Sequence, residues 1–399
     1  MARPPRVAVL SAVRTPTGKY GGSLRTVPAV VLGGLAAAEA VRRAAIQPSD
    51  VPEGIFGHCL QAGTGQNPTR QVLRSVGVPD HAGAATVNMV CGSGLQAIRL
   101  GAAMIRSGDA PLLLVGGMES MSSAPFLVPA AVRWGMKPGA ATLDDEMMRD
   151  SLLDAYGEHE EMGQTGERIA QKLGLTRAEV DAFAARSHQR AARANADGTF
   201  AAEMVPIPAN LTTTRSVFER DEGPRGDSTV ESLAKLRPSF RPNGLLTAGN
   251  SSQLSDGASA LVLASEAEAA RLGRTPIAYL HSSAVDGVAP FEVMEAPIPT
   301  VRKHLAAVGV APGDIDRIEH NEAFASASIA VQRAFGFPDD RFNVHGGAVA
   351  LGHPIGSSGA RIVVTLIHEL ARSGTRLGLA TLCMGGGNGL SLLVERDGS

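Results

Sequence analysis

Cysteine is nearly absent from the 399-residue sequence. There are three, Cys59, Cys91 and Cys383. They are too few, too scattered and odd in number for a disulfide framework, which points to a reducing compartment. Aromatic residues make up only 4%, with a single Trp, so stacking on bases or sugars is excluded as a main occupation. An excess of either charge is also missing, because 37 Lys+Arg face 39 Asp+Glu. That excludes a basic nucleic-acid binder and an acidic solvating protein. No apolar run is long enough for a bilayer, since residues 27–41 are broken by Gly33, Gly34 and Glu39. Residues 1–9 lack the apolar stretch of a signal peptide. A cytoplasmic protein with no nucleic-acid or membrane partner is expected.

What is abundant is small aliphatic residues and glycine. Hydrophobics reach 44% and glycine 46 residues, which implies an Ala/Val/Leu/Ile core joined by tight turns. The length suggests two or three domains. Short apolar runs alternate with helical patterns, the signature of an α/β fold. Residues 6–10, 55–60, 85–90, 112–115 and 377–382 read as strands. Residues 28–45 and 93–106 read as helices. In the latter, Leu95, Ile98, Ala102 and Ile105 recur at helical spacing. Residues 120–250 have a different texture, with methionines, charges and a polar tract at 212–229. Such an insertion is expected to cover a site. Within it, residues 177–193 read as a helix capped by Thr176 with Glu179 three residues on.

The last third repeats features of the first. Pro48-Ser49-Asp50-Val51 parallels Pro312-Gly313-Asp314-Ile315, and Ser93-Gly94 parallels Ser358-Gly359 at nearly the same offset. In each copy a helix follows, then an apolar strand ending in glycines, at 116–117 or 385–387. This favours a duplicated α/β unit. Two copies would turn equivalent helix starts toward each other and create a site between them.

The chemistry-bearing residues lie on those glycine-rich turns. Cys91, in Asn88-Met89-Val90-Cys91-Gly92-Ser93-Gly94, sits between a strand ending at Val90 and a helix beginning near Ser93. The helix dipole there favours a thiolate, so Cys91 reads as a nucleophile. The plainer reading is a buried structural cysteine. Gly92-Ser93-Gly94-Leu95-Gln96-Ala97 also fits a loose dinucleotide fingerprint, with Glu119 as the ribose acid. His353, flanked by Gly352 and Pro354, is either a general base or a satisfied core histidine. Cys383, before Gly385, Gly386 and Gly387, suits an acid or base. Asn321, in His320-Asn321-Glu322-Ala323-Phe324, can hold a water, or merely cap a helix. No metal site is expected, because the Cys and His residues lack ligand spacing.

These segments resemble the thiolases, most closely the biosynthetic type. So do Val13-Arg14-Thr15-Pro16-Thr17-Gly18, Gly65-Gln66-Asn67-Pro68, Gly116-Gly117-Met118-Glu119-Ser120-Met121 and Leu246-Thr247-Ala248-Gly249-Asn250. The likeness runs end to end. It implies a five-layered αβαβα thiolase fold built of two duplicated halves, residues 1–119 with 251–273, and residues 274–399. A loop domain, residues 120–250, would serve coenzyme A binding and tetramerisation, and the assembly would be a homodimer pairing into a homotetramer.

The implied activity is the reversible Claisen condensation of two acetyl-CoA to acetoacetyl-CoA and CoA. The alternative is a degradative 3-ketoacyl-CoA thiolase of broader chain length. Cys91 would carry the acetyl group and His353 would activate it. Cys383 would remove the Cα proton. Asn321, through a water, would complete the enolate oxyanion site with His353. The N–H groups of Cys91 and Gly385 would hold the acetyl oxygen. Met162 would line the acyl pocket, and Arg225, Ser232, Leu236, Ala248, Ser252, Ala323 and Phe324 would contact coenzyme A or the acyl group. No permanently bound cofactor is implied. Three positions depart from the family pattern: Glu161 for a common His, His345 for a common Asn, and Asn388 for a common Met or Gln.

Overall fold

A computed structural model describes residues 6–136, 139–157 and 159–397. The strands are β1 (Val7–Arg14), β2 (Gly18–Lys19), β3 (Glu53–Gly57), β4 (Gly83–Val87), β5 (Leu112–Ser120), β6 (Phe126–Leu127), β7 (Asp144–Asp145), β8 (Ser255–Ser265), β9 (Ala278–Gly287), β10 (Arg317–His320), β11 (Leu377–Met384) and β12 (Asn388–Glu395). The helices in the first half are α1 (Ala29–Arg43), α2 (Pro68–Ser75) and α3 (Ser93–Ser107). Then come α4 (Met162–Lys172), α5 (Arg177–Asp197), α6 (Val230–Leu233) and α7 (Glu266–Arg271). The last are α8 (Pro297–Val308), α9 (Ala325–Phe335), α10 (Ala348–Leu351) and α11 (Ile355–Ser373).

Period-two alternation explains the layering. In β1, Ala8, Leu10 and Val13 pack with Leu32, Ala36 and Ala40 of α1, while Val7, Val9 and Ala12 turn to Leu95 and Ile98 of α3 and Ile362 of α11. In β11, Leu382 and Met384 face that same central layer, and Leu379 and Cys383 face Val301 of α8 and Val331 of α9. Five layers follow: α1 and α2, strands, α3 and α11, strands, α8 and α9. Strands covered on both faces read as continuous apolar runs, which is why the sequence displays them so clearly. Helix α11 is buried on nearly every side, as a helix held between two sheets must be.

The duplication is visible in the fold. Short 3-10 turns at Pro48–Asp50 and Pro312–Asp314 precede β3 and β10. The paired glycines mark the contact between the two central helices. A Cβ on Gly94 would lie 2.8 Å from the Ala360 nitrogen, and one on Gly359 would lie 2.6 Å from the Leu95 nitrogen. The two strand layers are joined, because β9 pairs with β1 as well as β12, in the continuous order β10-β11-β12-β9-β1-β8-β5-β3-β4 with β2 on β8. One expectation changes: β5 does not stop at Gly116-Gly117. It continues to Ser120, with the glycines inside it, where a Cβ would strike the Ser259 and Gly356 carbonyl oxygens at 2.1 Å. They permit close approach rather than end the strand.

The insertion packs on this frame through buried ion pairs. Arg14, fully buried, is held by Glu203 and by both oxygens of Asp221, at 2.7 and 2.9 Å. The Thr176 cap and Glu179 form the expected reciprocal pair at the start of α5, which extends to Asp197.

Candidate active site

The Cys91 turn is more strained than the sequence suggests. Strand β4 ends at Val87, not Val90, and Val90 has φ of 48°. A β-branched residue in the left-handed region costs about 1–3 kcal/mol and persists only where its surroundings enforce it. Here they do. Asn88 Oδ1 accepts from the Val90 N–H at 2.9 Å, and the Ser93 hydroxyl donates to the Val90 carbonyl at 2.6 Å while accepting from the Met89 N–H at 2.9 Å. Nothing in the sequence announces this, because valine is the residue expected in a strand.

The turn places the Cys91 thiol where the N–H groups of Gly385 and of Cys91 itself both point at it. Burial nonetheless pushes the thiol up to about 11. Loss of water outweighs the two N–H contacts in that shift and works against the helix dipole. Attack by Cys91 needs a base.

His353 is suited to that task. It is 8% exposed, and burial, then the nearby Arg361 guanidinium, push its imidazole down to about 3, so it is neutral. Its Nδ1 lies 2.5 Å from the Ser358 Oγ, and that hydroxyl donates its one proton to the Pro354 carbonyl at 3.0 Å. Nδ1 must then carry the proton and donate. Nε2 is left as a lone pair, buried and without a protein partner. It is not a satisfied core histidine.

Cys383 is the penultimate residue of β11, 2% exposed, with its sulfur 3.8 Å from the Met294 sulfur. Burial, then the proximity of Cys91, raise its thiol to about 12. Asn321 follows β10 and is tied to β11 by its N–H to the Thr381 carbonyl at 3.1 Å. Both its carboxamide atoms are buried and unpartnered, which is rare unless a water or ligand completes them. Helix capping is overturned: α9 starts at Ala325 with Phe324 as its cap residue and no side-chain cap bond. The neighbouring Glu322 is spent on Ser187, Asn343 and the Val349 N–H.

Glycines bring these turns together. A Cβ on Gly92 would overlap the Met384 sulfur, one on Gly385 would meet Val90 at 3.3 Å, and one on Gly94 would meet the Gly356 carbonyl at 2.9 Å. The Cys91, Cys383 and His353 turns are thus in mutual contact. The dinucleotide reading fails on the same evidence. Gly92 is closed off by Met384 and Gly94 by α11, and Glu119 is fully buried on protein donors.

The family described as "Thiolase, N-terminal domain" matches residues 7–267, and "Thiolase, C-terminal domain" matches residues 274–396. The chain belongs to the thiolase family. An acetyl-CoA acetyltransferase of Pseudomonas aeruginosa is 46% identical over 98% of this chain and 99% of its own. One of Escherichia coli is 45% identical over 97% and 98%. The crystal structure of the Bacillus anthracis acetyl-CoA acetyltransferase superposes with TM-score 0.95 at 40% identity, covering 98% of each chain. Human mitochondrial 3-ketoacyl-CoA thiolase in complex with CoA gives 0.94 at 37%, again over 98% of each.

In this thiolase the expected substrate positions fall into two places. Met162, the first residue of α4, lines a cleft of about 450 Å³ together with Val90, Tyr156, Gly385 and Gly386. Arg225, Ser232, Leu236 and Ala248 are exposed elsewhere. Two links hold that strip together. Leu236 lies against Gly249, and His188 Nδ1 accepts from the Arg225 N–H at 3.3 Å while also contacting the Gly249 backbone. His188 was not read from the sequence, where it is one more residue on a long helix. Ser252 joins the site through its N–H to the Ala323 carbonyl at 3.0 Å, and Phe324 stacks edge-on against Phe240.

The departures sort differently. His345 bonds Glu369 at 2.7 Å beside Arg372, in a peripheral cluster. Asn388 reaches the Asp286 carbonyl at 3.5 Å and helps join β12 to β9. Only Glu161, exposed and immediately before Met162, borders the cleft residues.

Proposed function

We propose that this thiolase is an acetyl-CoA C-acetyltransferase, forming acetoacetyl-CoA and CoA from two acetyl-CoA through an acetyl-cysteine. The observation that carries the reading is the Cys91 thiol, faced by two backbone N–H groups and set among the Cys383 and His353 turns. In the first step the Cys91 sulfur attacks the thioester carbonyl as its proton passes to the His353 Nε2 lone pair. The tetrahedral intermediate collapses, and the CoA thiolate leaves with the Cys383 proton, while His353 keeps the proton taken from Cys91. In the second step the Cys383 thiolate so formed takes the Cα proton of a second acetyl-CoA. The enolate oxygen is held by the His353 Nε2–H and by a water on the Asn321 carboxamide. The carbanion attacks the acetyl carbon, whose oxygen rests between the N–H groups of Cys91 and Gly385, and the Cys91 thiolate departs and recovers its proton from His353.

Two thiols are needed because one sulfur cannot be both acyl carrier and base. Two oxyanion sites are needed because charge develops on two oxygens, and loss of one donor costs about 3–4 kcal/mol. Coenzyme A would lie along Arg225, Ser232, Leu236, Ala248 and Ser252, with Ala323 and Phe324 near its acyl end. CoA thioesters are substrates here, and the chemistry calls for no resident cofactor. Residues 120–250 are proposed as the loop domain between two halves, 1–119 with 251–273 and 274–399. The edge strand β4, with half-buried Ala85 and Val87, would pair two chains. The arm bearing Phe126, Val128 and Trp134, the last 83% exposed, would join dimers into a tetramer. No helix among the described residues is long and apolar enough to cross a membrane, which suits a cytoplasmic enzyme.

Mass spectrometry after incubation with acetyl-CoA should find an acetyl group on the Cys91 peptide. Cys383→Ser should keep that acetylation and lose condensation. Failure to acetylate Cys91 would sink the reading. Thiolysis that prefers long 3-ketoacyl-CoA over acetoacetyl-CoA would favour the degradative alternative.

A further inference from the structure

Glu119 is used by none of the steps above, yet three backbone N–H groups beside them converge on its carboxylate. It lies at the end of β5, fully buried. Its Oε2 accepts from the Cys59 N–H at 3.0 Å and from the Gly356 N–H at 2.9 Å. Its Oε1 accepts from the Leu60 N–H at 3.3 Å and lies 3.1 Å from His58 Nε2. Gly356 is the second residue of α11, a helix whose own cap residue is Pro354 and whose first turn has neither a capping side chain nor an acid. Glu119 supplies that cap from the other half of the molecule. His353 lies three residues earlier, on the chain that enters this helix.

The same carboxylate reaches the nucleophile. It fixes the Cys59 N–H, and the Cys59 carbonyl accepts from Asn88 Nδ2 at 3.3 Å. Asn88 in turn holds the Val90 N–H, and so the strained turn that presents Cys91. Glycine makes the approach possible. A Cβ on Gly356 would lie 2.6 Å from the Met118 carbonyl, 2.9 Å from the His58 Cα and 3.0 Å from Glu119 Oε2.

We propose that Glu119 is a positioning residue that holds the Cys91 turn and the His353 turn in register for acyl transfer. The proposal rests on the assignment of Cys91 and His353 made above. An error of about 1 Å between reacting groups lowers a rate by about 100-fold, and that is the loss expected from Glu119→Gln. This variant keeps the shape but turns an amide NH2 toward N–H donors. KM for acetoacetyl-CoA should move by less than about threefold, since binding is untouched. Because the Glu119 charge also holds the Cys91 thiol up, the pH dependence of Cys91 alkylation by iodoacetamide should shift to lower pH.

Glu119→Asp keeps the charge and withdraws the carboxylate by one methylene. It should lose kcat without the pH shift, and it decides the matter should the Gln variant fail to fold. Rates are measured on monodisperse protein and normalised to folded enzyme. Variants with kcat per folded molecule within about threefold of the parent would overturn the brace. Parent enzyme that shows no acetyl group on Cys91 would overturn the catalytic assignment itself, a separate reading in the same assay.

Discussion

Replacing Ser358 by alanine tests whether a single hydroxyl sets the protonation geometry of the base. The His353 imidazole is neutral, held down to about 3 by burial and then Arg361. Which nitrogen carries its proton is decided by Ser358, whose own proton goes to the Pro354 carbonyl. Without Oγ, the buried Nδ1–H loses its acceptor. A net hydrogen bond of this kind is worth about 1–2 kcal/mol, and that much bias is lost from the tautomer that leaves Nε2 free. The productive population, and with it the rate of Cys91 acetylation, should fall about 5- to 30-fold. Alanine is a good helix former in the first turn of α11, so stability should change by only about 1 kcal/mol. Single-turnover acetylation followed by mass spectrometry gives the rate, and 15N NMR of labelled histidine gives the tautomer. Ser357→Ala is the control, because its hydroxyl pairs with Ser259 at 3.1 Å and it should retain activity. A Ser358→Ala enzyme with the parental rate and tautomer would refute the reasoning.

Asn321→Ala removes a buried carboxamide that bonds nothing in the protein. It should leave thermal stability unchanged or raised, keep Cys91 acetylation, and lower condensation by about 100- to 1000-fold; a melting temperature that collapses would show a structural role instead. Buried histidines set an acid limit. His353 and His320 are pushed by burial to about 3, and His188 and His304 to about 4. Their folded values lie below the unfolded 6.5, so they stabilise above that pH, and stability is lost as pH falls toward the folded values. Glu319, raised by burial to about 8, and Asp256, raised to about 6, work in the opposite sense and offset part of this. Glu322 and Glu146, also raised by burial, add to that offset, and the melting temperature should fall as pH drops from 6.5 to 5. A melting temperature that is flat across that range would contradict the assignment of these histidines as buried and neutral. Trp134→Ser, on the exposed arm, should halve the mass seen by analytical ultracentrifugation; an unchanged mass would remove the arm from the proposed assembly.

Much of the site is legible in one dimension because it is built from turns. Gly352-His353-Pro354 and Cys383-Met384-Gly385-Gly386-Gly387 advertise irregular backbone whatever surrounds them, since few other residues tolerate it. The central layer is equally plain, because strands covered on both faces and a helix enclosed between them must be written in apolar residues. The duplicated unit follows from Ser93-Gly94 and Ser358-Gly359, which turn out to be where α3 and α11 touch.

What the sequence alone determines, then, is local: the identity of the elements, the glycine turns that carry two thiols and an imidazole, and the absence of any disulfide, stacking or charged-surface occupation. The tertiary structure decides everything that depends on who is adjacent. Only packing sets the surroundings of half-buried Cys91, where burial pushes the thiol up to about 11 although it stands at a helix start. Only packing shows Gly116 and Gly117 as sites of close approach inside β5 rather than its end. And Glu119, a plausible ribose acid in one dimension, becomes in three the carboxylate that joins the two halves at their catalytic turns. Desolvation and hydrogen-bond partnership are properties of neighbours distant in the chain, and no local pattern encodes them.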